Sequence, residues 1–108
     1  MMSERIILAN LIDGTLRAPH AGRYLDVYEP ATGNIYARCP DSDSNDVSDA
    51  VAAAQRAAPG WAATPAAERA ACMNRLADLI EACNDEFVEA ESRDSGKPLS
   101  VARCVDIP

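Results

Sequence analysis

Four cysteines are the side chains best suited to nucleophilic chemistry in this 108-residue sequence, and they are Cys39, Cys72, Cys83 and Cys104. A reactive cysteine needs a neighbouring base, cation or helix N-terminus that lowers its pKa. Cys72 and Cys83 are expected in the apolar core face of a helix, Cys39 at a strand end and Cys104 in a last helix. No two of them form a C-x-x-C pair, which argues against a zinc or thioredoxin-like site. We therefore expect four free thiols and no catalytic residue among them.

Histidine, glycine and acidic residues offer no stronger catalytic or cofactor site. His20 is the single histidine and is expected to lie solvated in a loop. The five glycines are isolated, so neither a G-x-G-x-x-G sequence nor a P-loop is present, and no cofactor-binding residue is expected in this chain. The acidic stretch from Glu81 to Glu91 has the pattern of a solvated helix face rather than a metal site.

Composition and charge restrict the class of protein. Hydrophobic residues make up 48% of the chain but aromatic residues only 5%, and alanine accounts for much of the hydrophobic share. Alanine forms helices readily but buries little surface. Such helices are expected to need another surface to pack against. The formal net charge of −7, with its few basic residues scattered, argues against nucleic acid as a partner. No apolar run approaches the roughly 18 residues of a membrane span, and residues 1–11 lack a signal-peptide core, so a cytoplasmic protein is expected.

Residues 8–39 have the pattern of β-hairpins. Asp13-Gly14 separates two short strand-like runs and favours a type I′ turn, because both central positions of that turn need positive φ. Alternating apolar residues predict a second pair of strands around residues 25–28 and 35–39. Gly33 is expected to adopt positive φ in the turn between them, and Pro40 to end the second strand.

A first amphipathic helix is predicted at 44–58. Ser44 is expected to cap it, with Asp46 in the first turn favouring the helix dipole. Its predicted apolar face contains Val47, Val51, Ala54, Ala58 and Trp61. Pro59-Gly60 should end the helix near Ala58 and leave Trp61 just beyond it.

A second, longer helix is predicted at 64–96, followed by an incomplete third helix at 99–108. Thr64 is expected to be the N-cap of the long helix, with Pro65 at its first position. Its predicted apolar face contains Cys72, Leu76, Leu79, Ile80, Cys83, Phe87 and Ala90. Gly96 is expected at the C-cap, and Pro98 prevents continuation. The third helix would begin near Leu99 and include Ala102.

Six short segments carry the most specific information in the sequence. They are Asn10-Leu11-Ile12-Asp13-Gly14, Glu29-Pro30-Ala31-Thr32-Gly33, Asp46-Val47 with Ala50-Val51, the Trp61 segment, Glu68-Arg69, and Glu91-Ser92-Arg93-Asp94-Ser95-Gly96-Lys97-Pro98. In this order and at this spacing they resemble the aldehyde dehydrogenase superfamily, from about Leu8 onward. The tail 102–108 looks most like the branch that acts on 2-hydroxy- and 2-aminomuconic semialdehydes.

The resemblance implies an α/β parent with a Rossmann-type cofactor domain, a catalytic domain and an oligomerisation arm. Such enzymes oxidise an aldehyde to the acid with NAD or NADP: a cysteine forms a thioester, and a glutamate activates the water that releases it. Residues 1–108 then correspond to a truncated N-terminal part, with hairpins and helices that flank the cofactor domain. None of the four cysteines lies in a segment resembling the family's nucleophile, so the fragment alone is expected to be inactive. The parent is expected to be a homo-oligomer.

The resemblance also implies a monovalent cation site, in which the carboxylate of Asp94 joins the backbone carbonyl of Tyr28. Hard cations favour oxygen ligands of this kind. In the alternative interpretation, Asp94 and Lys97 serve the helix end and a neighbouring loop.

Two other classes of function stay open at this point. One is a small helical protein that binds a partner, for example a full-length dehydrogenase or another subunit, through its apolar helix faces. The other is a truncated product without a function of its own.

Overall fold

The computed structural model describes residues 5–108, which form five strands, four α-helices and a terminal π-helical turn. Met1–Glu4 lie outside the described residues. The prediction that residues 1–11 lack a signal-peptide core therefore falls partly on residues that the structure does not describe. The strands are β1 (Ile6–Ile7), β2 (Asn10–Ile12), β3 (Thr15–Arg17), β4 (Tyr24–Glu29) and β5 (Asn34–Pro40). The helices are α1 (Ser44–Ala63), α2 (Ala66–Ala82), α3 (Asn84–Ser95) and α4 (Leu99–Val101), followed by the π-helical turn Ala102–Asp106. Among these described helices, none combines the length and apolarity needed to cross a membrane.

By their contacts the residues group into two units. The first contains the residues up to Tyr28 together with Ile35–Ala63, and the second contains Glu29–Asn34 together with Thr64–Pro108. Both units have small cores, as the alanine-rich composition predicts. In the first unit, the buried apolar residues are Ile12, Pro19, Ala37 and Ala53, and in the second they are Val88 and Ala102.

The β2–β3 hairpin forms as the sequence predicts. Its strands pair antiparallel with Leu11 opposite Leu16, and both turn residues have positive φ, 53° at Asp13 and 70° at Gly14. Positive φ at both positions is the signature of the type I′ turn, whose twist matches that of the strands. Side chains on this hairpin also reach the rest of the first unit, because Arg56 of α1 lies 3.7 Å from the Asp13 carboxylate.

The second predicted hairpin is confirmed as β4 and β5, which belong to a three-stranded sheet in the order β1-β5-β4. The edge strand β1 pairs in parallel with β5, with Ile6 opposite Ala37, and the sequence did not indicate this pairing. Gly33 has φ of 71° as expected, and its N–H donates to the Glu29 carbonyl at 2.8 Å.

Helix α1 continues five residues beyond the predicted end, to Ala63, with Pro59 inside it. The prediction that Pro59-Gly60 ends the helix near Ala58 is therefore wrong, and Trp61 lies within α1. A proline removes a single backbone donor, and the surrounding alanines favour helix strongly enough to continue. The helix ends instead at Thr64-Pro65, because a residue before proline is disfavoured in the α region.

The predicted 64–96 helix is two helices in the structure. Pro65, with ψ of 142°, occupies the N-cap position that was predicted for Thr64, and α2 begins at Ala66. Cys83, with φ of −106° and ψ of 18°, separates α2 from α3. At the break the Asn84 side chain donates to the Ile107 carbonyl at 3.3 Å, and Asn84-Asp85 at the new helix start are residue types that favour caps and first turns over helix interiors.

The predicted helix at 99–108 is also shorter than expected. α4 covers only Leu99–Val101 and passes into the π-helical turn, in which the Ile107 N–H donates to the Ala102 carbonyl at 2.9 Å. Ala102, the first residue of this turn, is fully buried.

The predicted apolar faces of α1 and α2 are not core faces in this structure. Val47 and Val51 of α1 are 58% and 49% exposed, and the buried residues of α1 are instead Asp46 and Ala53. In α2 no residue is buried, and Cys72, predicted as a core residue, is exposed. Cys83 is half-buried at the helix break. The physical reason is that a stripe of apolar residues predicts a face that prefers burial, but not which surface covers it.

Candidate functional site around the 91–98 run

The run 91–98 forms the end of α3 and the turn that follows it. Gly96 is the C-cap residue with φ of 77°, in the left-handed conformation that glycine adopts most readily, and its N–H donates to the Ser92 carbonyl at 2.9 Å. Two serine hydroxyls tie down the same turn: Ser92 donates to the Lys97 carbonyl and Ser95 to the Glu91 carbonyl, each at 2.6 Å. The predicted C-cap at Gly96 is therefore confirmed.

Lys97 connects this helix end to the π-helical turn. Its Nζ donates to both carboxylate oxygens of Asp106 at 2.9 Å and lies 3.7 Å from Glu91. The hydrogen bonds to Asp106 raise the pKa of Lys97 above its ordinary value, against partial desolvation, and the charges of Asp106 and Glu91 add to the effect. A second link joins the π-helical turn to the start of α3, because Arg103 donates to the Asp85 carboxylate at 2.7 Å.

The turn 29–33, another of the segments singled out in the sequence, contacts the same helix end. The Arg93 Nε lies 3.5 Å from the Glu29 carboxylate, which also accepts a hydrogen bond from the Thr32 hydroxyl at 3.2 Å. A Cβ placed on Gly96 would lie only 3.1 Å from the Cβ of Pro30. Two segments that are far apart in sequence therefore form one packed cluster, which we call the turn–helix cluster (Glu29–Gly33 with Arg93–Lys97).

The residues predicted for a cation site lie in different units. Asp94 is in the last turn of α3 in the second unit, and Tyr28 is near the end of β4 in the first unit, with an exposure of 56%. Cation binding by this pair stays a prediction. Lys97, the other residue of the alternative interpretation, does serve the helix end through its contacts with Glu91 and Asp106.

The other candidate residues are placed as follows. All four cysteines are free thiols; Cys72 and Cys104 are exposed and Cys39 and Cys83 half-buried. Within residues 5–108, no group of three or more His, Cys, Asp or Glu side chains could hold a metal ion. In the acidic stretch 81–91, Asp85 pairs with Arg103.

The five glycines lie in separate turns, in helix α1 and at the α3 C-cap. All five glycines lie in the described part of the chain, and a Cβ added at Gly14, Gly22, Gly33 or Gly60 would meet nothing within 4 Å. The fifth, Gly96, packs on Pro30.

A polar clamp at the start of α1 was only partly foreseen. Asp43, not Ser44, is the N-cap: its carboxylate accepts from the N–H groups of Asn45 at 2.8 Å and Asp46 at 3.3 Å. In turn, one carboxylate oxygen of Asp46 accepts a hydrogen bond from the Asp43 N–H at 2.9 Å, and the other accepts one from the His20 N–H at 2.8 Å. This is a capping box with aspartate in place of glutamate, and the D-x-x-D spacing at 43–46 was the signal that could have revealed it.

The same clamp explains a buried charge and a shifted pKa. Asp46 is only 7% exposed, and both of its oxygens are hydrogen-bonded, as a buried carboxylate requires. Desolvation alone would raise the pKa of Asp43, but the two backbone N–H donors and the charge of His20 outweigh it, and the pKa is lowered. His20 itself is exposed in a loop, as the sequence predicts, and its backbone N–H is the donor to Asp46.

Comparison with known proteins gives the family. The Aldehyde dehydrogenase family model matches residues 17–108. The chain is 45% identical over 103 residues to a 2-aminomuconic semialdehyde dehydrogenase from Danio rerio and 42% identical over 103 residues to the enzyme of that name from Homo sapiens, covering 95% of this chain in both cases. Among solved structures, PnpE in complex with nicotinamide adenine dinucleotide superimposes with a TM-score of 0.91 at 40% identity, over 94% of this chain.

These relatives are much longer than the present sequence. The chain spans 21% of the length of both curated relatives and 21% of the PnpE chain. The structural match nevertheless covers 94% of this chain, and residues 17–108, which the family model matches, include both segments of the turn–helix cluster. The chain belongs to the aldehyde dehydrogenase family.

Proposed function

We propose that residues 1–108 are the N-terminal part of an NAD(P)-dependent aldehyde dehydrogenase, which oxidises an aldehyde to the carboxylic acid through a cysteine thioester. The observation that carries the proposal is the superposition on PnpE over 94% of this chain at a TM-score of 0.91. A shared fold alone would not imply a shared reaction, but 40% identity over the same residues adds a sequence relationship.

The substrate proposed is a muconic semialdehyde. Its support is the name of the relatives, 2-aminomuconic semialdehyde dehydrogenase, at 40–45% identity. The neighbour in complex with nicotinamide adenine dinucleotide supports NAD as a cofactor of the whole enzyme.

The catalytic and cofactor-binding residues are proposed to lie outside residues 1–108, so that this chain alone is inactive. Two observations support this: no cysteine lies in a segment resembling the family's nucleophile, and the five isolated glycines form no G-x-G-x-x-G sequence. In this proposal the 108 residues contribute structure: the hairpins and helices flank the cofactor domain of the whole enzyme.

Three further features belong to the same proposal. The whole enzyme is a cytoplasmic homo-oligomer, with no nucleic acid or membrane partner. A monovalent cation binds the Asp94 carboxylate and the Tyr28 carbonyl, with further ligands from the rest of the enzyme. The cation site is supported by the chemistry of its two oxygen ligands, which suits a hard cation.

The proposal is tested on the protein from its native source. An antibody against this segment captures the product, its intact mass is measured, and NADH formation is followed with 2-aminomuconic semialdehyde, 2-hydroxymuconic semialdehyde and a simple aliphatic aldehyde. We expect a product several times heavier than 11.5 kDa that reduces NAD with a semialdehyde. Activity confined to the aliphatic aldehyde would refute the proposed muconic semialdehyde substrate. NADH formation by the purified 108-residue chain would refute the proposal that the catalytic residues lie outside this chain.

A second candidate function is a small protein that binds a partner. It is favoured by one observation: helix α2 has no buried residue although its sequence carries a full apolar stripe. A captured product near 11.5 kDa, free of dehydrogenase activity and recovered with a stoichiometric partner, would support this function over the first.

A further inference from the structure

Lys97 is the single lysine in this 108-residue sequence. Lysine and arginine together number ten, so the other nine are arginines. An aldehyde converts the neutral amine of a lysine to an imine, whereas the guanidinium of an arginine stays charged and has no free electron pair for that reaction. Because the proposed function brings this chain into contact with an aldehyde, Lys97 is the side chain at which that aldehyde can form an imine.

The Lys97 residue is held at both its backbone and its ammonium group. Its backbone N–H donates to the Ser95 hydroxyl at 3.3 Å, and its carbonyl accepts from the Ser92 hydroxyl at 2.6 Å. Its Nζ donates to both carboxylate oxygens of Asp106 at 2.9 Å and lies 3.7 Å from the Glu91 carboxylate. An exposed ion pair usually contributes little because two long side chains must be ordered, but here the backbone of the lysine is already fixed.

The two carboxylates are also well placed to keep the ammonium group paired. Asp106 belongs to the π-helical turn, whose first residue, Ala102, is fully buried. The side chains of Asp106 and Glu91 are 24% and 38% exposed, so both charges are partly withdrawn from water. Two negative charges beside one ammonium favour its protonated form, and the pKa of Lys97 is raised, with the hydrogen bonds to Asp106 as the largest cause.

Imine formation requires the neutral amine. The electron pair of the nitrogen attacks the aldehyde carbonyl carbon, a C–N bond forms, and the two hydrogens of the nitrogen leave with the carbonyl oxygen as water. The ammonium ion has no free electron pair and must first release a proton. Each contact that stabilises the ammonium ion therefore lowers the fraction of neutral amine and slows the reaction in proportion.

We propose that the Asp106 and Glu91 carboxylates protect Lys97 from imine formation with the aldehydes that the whole enzyme handles. The inference rests on the proposed function, because that function supplies the aldehyde. Protection preserves the link between α3 and the π-helical turn. An imine nitrogen has no N–H when neutral and one when protonated, so it cannot make both hydrogen bonds to Asp106, and the carbon chain of the aldehyde would have to fit beside a 2.9 Å contact.

Reductive alkylation measures the reactivity of this amine directly. The protein is used at the length at which its native source produces it, and it is incubated at pH 7 with propionaldehyde and sodium cyanoborohydride. The hydride reduces the protonated imine to a stable secondary amine, and mass spectrometry quantifies the peptide that contains Lys97. No NAD is added, so the enzyme does not oxidise the aldehyde. Nα-acetyllysine in the same solution is the unpaired reference amine. We expect Lys97 to react more slowly than this reference by about threefold or more, and equal rates overturn the proposal.

Matched variants separate the charge of the carboxylates from the mobility of the turn. Asp106→Asn keeps the shape of the side chain and should speed the reaction of Lys97 by about threefold. Asp85→Asn removes the carboxylate that binds Arg103, the other link to the same turn, and should leave the rate unchanged. Equal acceleration in both variants would mean that mobility of the turn controls the rate, and no acceleration in Asp106→Asn would mean that Lys97 is shielded sterically; either result overturns the proposal.

Glu91→Gln provides a second test that leaves Asp106 in place. It should speed the reaction in the same direction but less than Asp106→Asn, because Glu91 is the more distant carboxylate. If Asp106→Asn does not fold, an unchanged rate in Glu91→Gln overturns the proposal. The labelling does not depend on catalysis. A protein that protects Lys97 but oxidises no aldehyde counts against the proposed function only, and an active dehydrogenase whose Lys97 reacts as fast as the reference counts against the protection only.

Discussion

Replacing Gly96 with alanine should destabilise the second unit through two separate effects. Gly96 has φ of 77°, a conformation that side chains with a Cβ rarely adopt, and the new Cβ would lie 3.1 Å from the Cβ of Pro30. The same substitution at Gly33, with φ of 71° and nothing within 4 Å, has the first effect without the second. Both glycines belong to the same unit, so Gly33→Ala is a matched control.

The expected magnitudes follow from these two positions. The left-handed conformation costs an alanine about 1–2 kcal/mol, and the loss of glycine's freedom in the unfolded chain offsets about 0.4–1 kcal/mol of it. Gly33→Ala should therefore lower the free energy of unfolding by about 1 kcal/mol. Overpacking adds about 1 kcal/mol or more at Gly96, because Pro30 is a rigid ring and cannot turn away. Gly96→Ala should then cost about 2 kcal/mol.

Urea unfolding followed by far-UV circular dichroism measures both changes. A double-mutant cycle with Pro30→Gly, which removes the opposing Cβ, isolates the contact: the coupling between Pro30→Gly and Gly96→Ala should be about 1 kcal/mol in favour of the double variant. Equal losses for Gly96→Ala and Gly33→Ala, together with zero coupling, would refute the reasoning, since Pro30 would then not be packed against the helix end.

Three further predictions concern the two polar clusters. Asp43→Ala should lower the free energy of unfolding by about 1 kcal/mol through loss of the N-cap, and Asp43→Ser should retain most of it, as thermal unfolding would show. Because the folded pKa of Asp43 is lowered from 3.8, the contribution of Asp43 to the free energy of unfolding is present above pH 3.8 and is lost as the pH falls through the folded pKa. Acid titration of helix content should show this loss. Asp43→Asn should abolish that part of the pH dependence. Lys97 has a raised folded pKa, so its link to Asp106 is present below pH 10.5 and is lost as the pH rises through the folded pKa. Lys97→Gln should remove the same link at neutral pH, which is measured as faster hydrogen exchange at the Ile107 amide. An unchanged exchange rate would contradict this prediction.

Local chemistry was the part of the fold that the sequence could predict. The turn at Asp13-Gly14, the positive φ of Gly33 and the cap at Gly96 were all foreseen, because each is decided by the conformations open to one or two residues. The parallel pairing of β1 with β5 was not, because Ile6 and Ala37 are distant in sequence and a two-residue strand has no pattern of its own.

Competition between neighbouring signals explains most of the differences. At Pro59 the helix propensity of the flanking alanines prevails over one missing donor. At Cys83 an otherwise continuous apolar stripe is interrupted where Asn84-Asp85, residue types that favour caps and first turns, begin a new helix. Burial was the least predictable property. The sequence places Leu76 and Leu79 on one helix face, but both side chains are more than half exposed in the structure. An apolar face alone does not determine which surface covers it.

The candidate site was predictable as a set of segments but not as an arrangement. Glu29-Pro30 and the run 91–98 were both singled out, yet nothing in either predicts that Arg93 pairs with Glu29 or that Gly96 packs on Pro30. The role of Lys97 as a link to Asp106 also requires the π-helical turn, an irregular element for which the sequence has no clear pattern.

The separation between the two halves of the turn–helix cluster has a consequence for folding kinetics. About sixty residues lie between Glu29 and Arg93, so the contact closes a long loop and adds to the contact order of the chain. On the ribosome the 29–33 turn emerges first and, at about 5–20 residues per second, waits several seconds for its partner. Meanwhile α2 can form with its apolar stripe exposed. Because α2 has no buried residue in the folded structure either, closing the cluster leaves this stripe exposed, and the stripe is a surface for chaperone binding or aggregation both before and after closure.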